Sequence, residues 1–215
     1  MFNYTPEVAK DWQSAFNRIQ NEMPWRSKDW MTSIGPDQLR SKRWIIDALT
    51  QLQEREEIKA PTENDWVAQI ASWNNPFLSQ MLIEYGYENM VCMDMDPDAK
   101  LIHNAANKRL RQAYSIEYKT RDIVFEKPDW SQFNLIINTS CEHMMPMRDV
   151  FKNRTILPET VFVFQGSNLY SEKGHIMCVD YVEQLIDSTG LTNVLYANEL
   201  DLSRQKRFMV IGTYD

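Results

Sequence analysis

The feature that most constrains this chain is an alternation that begins at Trp66. Short apolar runs, each of strand length, are separated by segments with helical periodicity. Strands are expected at Trp66 to Ala71, Met90 to Asp94, Ser115 to Lys119, Asn134 to Asn138 and Val161 to Phe164. Between them helices are expected at Pro76 to Tyr85, Pro97 to Arg111, Met144 to Phe151 and Val179 to Ser188. Such alternation predicts right-handed crossovers and a mostly parallel sheet with helices on both faces. The tail breaks the pattern. "TNVLYANEL" and "KRFMVIGTYD" are two strand-like runs joined by a short polar link with no helix, so they should pair as an antiparallel hairpin at one sheet edge.

The first sixty residues read differently. Thr5 is a helix N-cap with Pro6 at the first helical position, and Val8, Trp12, Ala15, Phe16 and Ile19 follow at helical spacing. Gly35 and Pro36 punctuate the chain before a second stripe of Ile45, Leu49 and Leu52. Two units are therefore expected: a helical cap over residues 1–60 and an α/β unit over 61–215. Trp12, Trp25, Trp30 and Trp44 are interspersed with Arg26, Lys28, Arg40, Lys42 and Arg43. They admit two readings, a basic aromatic surface for a nucleotide or core packing with solvated cations; core packing is the simpler.

Composition narrows the class. A net charge of −7 argues against an extended nucleic-acid footprint. No apolar run approaches the roughly 20 residues that span a bilayer, and the N-terminus lacks the pattern of a signal peptide, so a cytoplasmic protein is expected. Cys92, Cys141 and Cys178 are few and far apart, which suits free thiols. The histidines and acids show no ligand spacing such as His-x-x-x-His, so the sequence implies no metal.

Polar residues gather where strands end. "FNLIINTSCEHMMP" runs from a buried strand into Asn138, Thr139, Ser140, Cys141, Glu142 and His143. "VFVFQGSN" leaves Gln165, Ser167 and Asn168 at the end of the next strand, with His175 beyond. In open α/β sheets the carboxyl ends of the strands are where ligands bind. Histidine titrates nearest neutrality, which makes His143 and His175 candidate proton acceptors, with Glu142 beside them. The plainer alternatives are a helix-terminal turn for Glu142 and His143, a solvated loop for the second cluster and a small buried apolar residue for Cys141.

Three motifs, in order and spacing, resemble the class I S-adenosylmethionine-dependent methyltransferase superfamily over roughly Asp65 to Asp215. "VCMDMDPDAKLIHNAA" resembles its second strand and following helix, "YKTRDI" the segment after the third strand, and "FNLIINTSCEHM" the fourth strand and a loop often written with Glu-His. The resemblance implies a Rossmann-like sheet of seven strands and S-adenosylmethionine as cofactor. It also implies that Asp94, with Met95 next to it, holds the ribose, that Asp122 and Ile123 hold the adenine, and that Asn138 borders the site. Cys141, Gln165, Ser167 and Asn168 would then face the acceptor, with Glu142, His143 and His175 handling its proton. In that superfamily N-terminal helices commonly cover the substrate mouth. The chain departs from it after the first strand, where "QIASWNNPF" replaces the usual glycines. Ala71 and Ser72 are small, and Asn74 and Asn75 tolerate a left-handed backbone, so the turn is accessible. Asn75 before Pro76 reads as a helix N-cap whose terminus suits an anionic group. Trp73 either stacks on the ligand or fills its place. Two functions follow: methyl transfer to a small or nucleotide-like acceptor, or a catalytically silent binding protein that acts through a ligand or, through its cap, a protein partner.

Overall fold

The computed structural model describes residues 5–74 and 76–214. Five strands, β1 (Trp66–Ile70), β2 (Asn89–Asp94), β3 (Ser115–Thr120), β4 (Leu135–Asn138) and β5 (Val161–Ser167), are parallel neighbours. The expected hairpin, β6 (Asn193–Asp201) and β7 (Lys206–Thr213), joins antiparallel through β7 to β5. The order β3-β2-β1-β4-β5-β7-β6 makes one seven-stranded sheet. Its strand order reverses between β1 and β4, which opens a crevice at their carboxyl ends.

Both faces are covered, as near-continuous apolar strands require. On one face Ala68, Ile70, Met93, Ile136, Phe162 and Phe164 pack against α7 (Met147–Phe151) and α8 (Val182–Thr189). On the other, Val67, Met90, Leu135, Ile137, Val163 and Met209 meet α3 (Pro36–Glu54) and α4 (Pro76–Tyr85). Ile45, Leu49 and Leu52 of α3 are fully buried in this second core. The boundary expected near residue 60 therefore coincides with no break in the core, because the apolar stripe of α3 is long enough to serve as one of the helices that cover the sheet.

The remaining N-terminal helices are α1 (Pro6–Glu22) and α2 (Ser27–Ser33). The Thr5 hydroxyl caps α1 by accepting from the Val8 N–H. Its Trp12, Ala15 and Ile19 pack with Trp30, Phe77 and Ile102 in a third core. Packing thus accounts for Trp12 and Trp30, while Trp25 remains 65% exposed. No helix among the described residues is long and apolar enough to cross a membrane.

Two expected helices are shorter than their periodicity suggested. The run from Pro97 divides into α5 (Pro97–Ala106) and α6 (Leu110–Ala113), because the Asn107 side chain bonds the His103 carbonyl and terminates the first piece. The helix expected from Met144 starts three residues later, as α7 at Met147, and a 3-10 turn at Cys141–His143 precedes it. Pro146 sets this break, since the residue before a proline is pushed out of the α region.

Candidate functional site

A cavity of about 440 Å³ opens at the crevice beside β1, β2 and β4, within the range of roughly 300–1,000 Å³ typical of small-molecule sites. Of the residues singled out in the sequence, Ala71, Trp73, Asp94, Met95, Asp122, Ile123 and His143 line it.

The loop after β1 is built around Asp94. The Trp73 N–H donates to Asp94 Oδ2 at 2.8 Å, and the Asp96 N–H donates to Oδ1 at 3.0 Å. Tyr118 closes the loop from the other side by donating its hydroxyl to the Trp73 carbonyl at 2.6 Å. Burial raises the Asp94 pKa above its usual 3.8, and the backbone N–H groups of Asp96, Trp73 and Met95 pull against that rise. A carboxylate has about four acceptor sites, so Asp94 keeps capacity for a further donor. Asp96 takes the capping role: it begins α5 and accepts from the Asp98 N–H at 2.9 Å.

The left-handed residues of this loop are not the expected ones. Ala71 (φ 47°) and Trp73 (φ 42°) adopt positive φ, whereas Asn74 does not and is buried instead; Asn75 lies outside the described residues. Left-handed backbone costs an L-residue roughly 1–2 kcal/mol, and here the bonds from Asp94 and Tyr118 on either side of Trp73 hold it. Trp73 packs partly against Cys92, Ala99 and Tyr118. Its ring therefore forms a wall of the cavity without closing it.

The segment after β3 supplies the opposite wall. Ile123 is buried, and Asp122 Oδ1 accepts from Val124 N–H at 2.9 Å, so Asp122 shapes a turn as well as lining the cavity. Two further residues not foreseen from the sequence stand at this rim: Phe125, which is 81% exposed, and Arg121, which pairs with Glu126 at 2.9 Å. An aromatic side chain in the tip of the "DIVFEK" loop was the available signal. Ser140, Met144 and Met145 complete the side nearest β4.

The two strand-end clusters do converge, but mostly behind the cavity. Arg207 NH1 donates to Glu142 Oε1 at 2.6 Å, with both side chains only 4% exposed, and the Ser167 hydroxyl donates to the same oxygen at 3.3 Å. Neighbouring positive charge offsets the burial and holds Glu142 below its usual range. Lys42 of α3 lies in this knot, its pKa driven well down by burial and by Arg207. Gln165 Oε1 accepts from the Ser41 hydroxyl at 2.9 Å, and Asn168 accepts from the Lys206 N–H at 2.8 Å. Asn138 is buried and accepts from the Ser140 N–H at 2.8 Å, which forms the turn after β4. Cys141 is buried with its thiol pKa pushed well up, the state of a resting thiol.

None of Ser72, Asn138, Cys141, Glu142, Gln165, Ser167, Asn168 and His175 is among the residues lining the cavity. Alternation along β5 explains two of them: Gln165 and Ser167 share the sheet face that α3 covers, where Gln165 meets Ser41. His143 lines the cavity with its ring partly desolvated; that desolvation and His175, whose ring stands edge-on at 4.4 Å, lower its pKa against the opposing pull of Glu142.

No known protein-family profile matches this chain, and no curated protein sequence does. Solved structures do. The N-methyltransferase NodS from Bradyrhizobium japonicum superposes with a TM-score of 0.60 at 13% identity, over 84% of this chain and 98% of its own. An S-adenosylmethionine-dependent methyltransferase from Clostridium acetobutylicum gives 0.54 at 12% identity, covering 79% and 90%. Geranyl diphosphate methyltransferase, solved with S-adenosylmethionine, gives 0.59 at 7% identity, covering 82% and 85%. The chain has the class I methyltransferase fold. In this methyltransferase fold Asp94, the Ala71–Trp73 loop and the Asp122–Ile123 segment surround one cavity at the reversal of strand order.

Proposed function

We propose that the chain binds S-adenosylmethionine in this cavity and transfers its methyl group to a small or nucleotide-like acceptor. The observation that carries the reading is the convergence of Asp94, Ile123 and the left-handed Ala71–Trp73 loop on one cavity at the strand-order reversal. The donor chemistry fits. Asp94 offers carboxylate lone pairs to ribose hydroxyls, and Ile123, Val124 and Phe125 offer an apolar, aromatic wall to a purine. The acidic side chains Asp94, Asp96 and Asp122 suit a cationic ligand.

The bound cofactor supplies a methyl group already activated on a sulfonium. What remains for the protein is alignment, exclusion of water and uptake of a proton. His143, uncharged at neutral pH because its pKa is lowered, is the side chain on the cavity wall suited to take that proton. Arg26 ties the N-terminal helices to the same strand end through Asp96 and, at 3.1 Å, Asp98, which favours a role for them in choosing the acceptor.

One observation favours the silent alternative: the loop that meets the cofactor is formed by Ala and Trp at positive φ, without a glycine. Calorimetry with S-adenosylmethionine and S-adenosylhomocysteine tests both readings. Binding of each at micromolar concentration is expected. No heat with either ligand, for a protein shown to be folded, would refute the cofactor reading and leave the silent one.

A further inference from the structure

We propose that Glu142, His143 and His175 form a binding site for a divalent first-row transition metal ion, with zinc the best match to the ligand set. The sequence offers no metal spacing, because the third ligand arrives from a different loop. The chain after β5 brings His175 edge-on to His143, and one ligand atom from each of the three side chains lies within 4.8 Å of the others. Bonds of about 2.0–2.2 Å in a tetrahedral site imply ligand separations of about 3.4 Å. The cluster would therefore tighten from separations of up to 4.8 Å toward that value around an ion.

Two further observations point to a ligand. Glu142 Oε1 is occupied by Arg207 and Ser167, yet Oε2 is buried without a hydrogen-bond partner among the described residues. A buried, unpartnered carboxylate oxygen is costly and calls for an ion or a donor. His175 Nδ1 lies 2.7 Å from the Leu169 carbonyl. Donation there fixes the tautomer and leaves Nε2 with its lone pair, the support usually found behind a metal-bound imidazole. Arg207 steadies Glu142 in the same way. Cys178 Sγ is 3.7 Å from His175 Nδ1, on the wrong nitrogen to share the ion.

Two imidazoles and one carboxylate favour zinc or iron over magnesium or calcium, which prefer all-oxygen sites. Three protein ligands leave one position open, and because His143 lines the large cavity that position would lie at its edge. Metal uptake and proton uptake would then draw on the same imidazole.

The test uses the full chain, stripped with a chelator and titrated with Co²⁺ under visible absorption, then with Zn²⁺ in competition. One equivalent of Co²⁺ per chain, displaced by Zn²⁺, is expected. His143→Ala and His175→Ala should each weaken binding at least about a hundredfold, the upper end of what losing a supporting group costs, and Cys178→Ser should not. Circular dichroism verifies that each variant is folded; Glu142→Gln is avoided because it strips Arg207 of its partner. No cobalt band in the folded wild type, or a band that survives in His175→Ala, would overturn the site. Since no cofactor is present, failure here leaves the methyl-transfer reading standing, and failure of that reading leaves this one.

Discussion

Asp94 is asked to do two jobs, and Asp94→Ala separates them. The carboxylate accepts from the N–H groups of Trp73 and Asp96, and hydrogen bonds to a charged group are worth about 1.5–3 kcal/mol each. Against this stands the cost of holding the carboxylate partly buried, seen in its raised pKa. The net expectation is a loss of about 1–3 kcal/mol in stability. For a chain of this length that lowers Tm by about 2–4 °C per kcal/mol. Cofactor affinity should fall about tenfold to a hundredfold, since ribose hydroxyls lose a charged acceptor. Asp94→Asn keeps one carbonyl acceptor for the loop and should recover part of the Tm. Thermal unfolding and calorimetry on the same samples read the two effects separately. An unchanged Tm in Asp94→Ala would refute the account of the loop, and unchanged affinity in the folded variant would refute the ribose contact.

Cofactor affinity should also weaken as the solution is acidified through the carboxylate range above pH 3.8, because Asp94 takes up its proton earlier than an ordinary aspartate; calorimetry across that range checks it. Trp73→Gly relieves a left-handed residue but removes a cavity wall, so binding should weaken by about 1–3 kcal/mol, the range for aromatic stacking on bases; tighter or unchanged binding would sink the wall role. His103 is fully buried with its pKa lowered from 6.5 to about 3, so the unfolded chain binds more protons between those values. Stability should therefore fall with acidification through that window at up to about 1.4 kcal/mol per pH unit, and denaturant melts of His103→Leu should show a flatter acid limb. Arg26→Ala removes the tie from the N-terminal helices to Asp96 and Asp98. Being partly exposed it should cost only about 1 kcal/mol, while hydrogen exchange in residues 24–33 should quicken; unchanged exchange there would refute the latch.

Periodicity and composition determined the layers of this protein. A run such as Leu135–Asn138, buried at every position, has only one comfortable home, an interior parallel strand, and the helix-free link before β7 leaves the hairpin little choice but the edge. The capping role of Thr5 was equally legible, because a cap depends on neighbours a few residues away. The direction of each side chain at the strand ends was not. Gln165 and Ser167 face α3 and Glu142 meets Arg207 because of strand register and the placement of β7, facts about residues far apart in sequence. The same holds for the left-handed backbone at Ala71 and Trp73, which propensity assigns to asparagine and which bonds from Asp94 and Tyr118 impose instead. Local chemistry is written in neighbouring letters, whereas the meeting of Glu142, His143 and His175 exists only once two loops have been carried to the same end of the sheet.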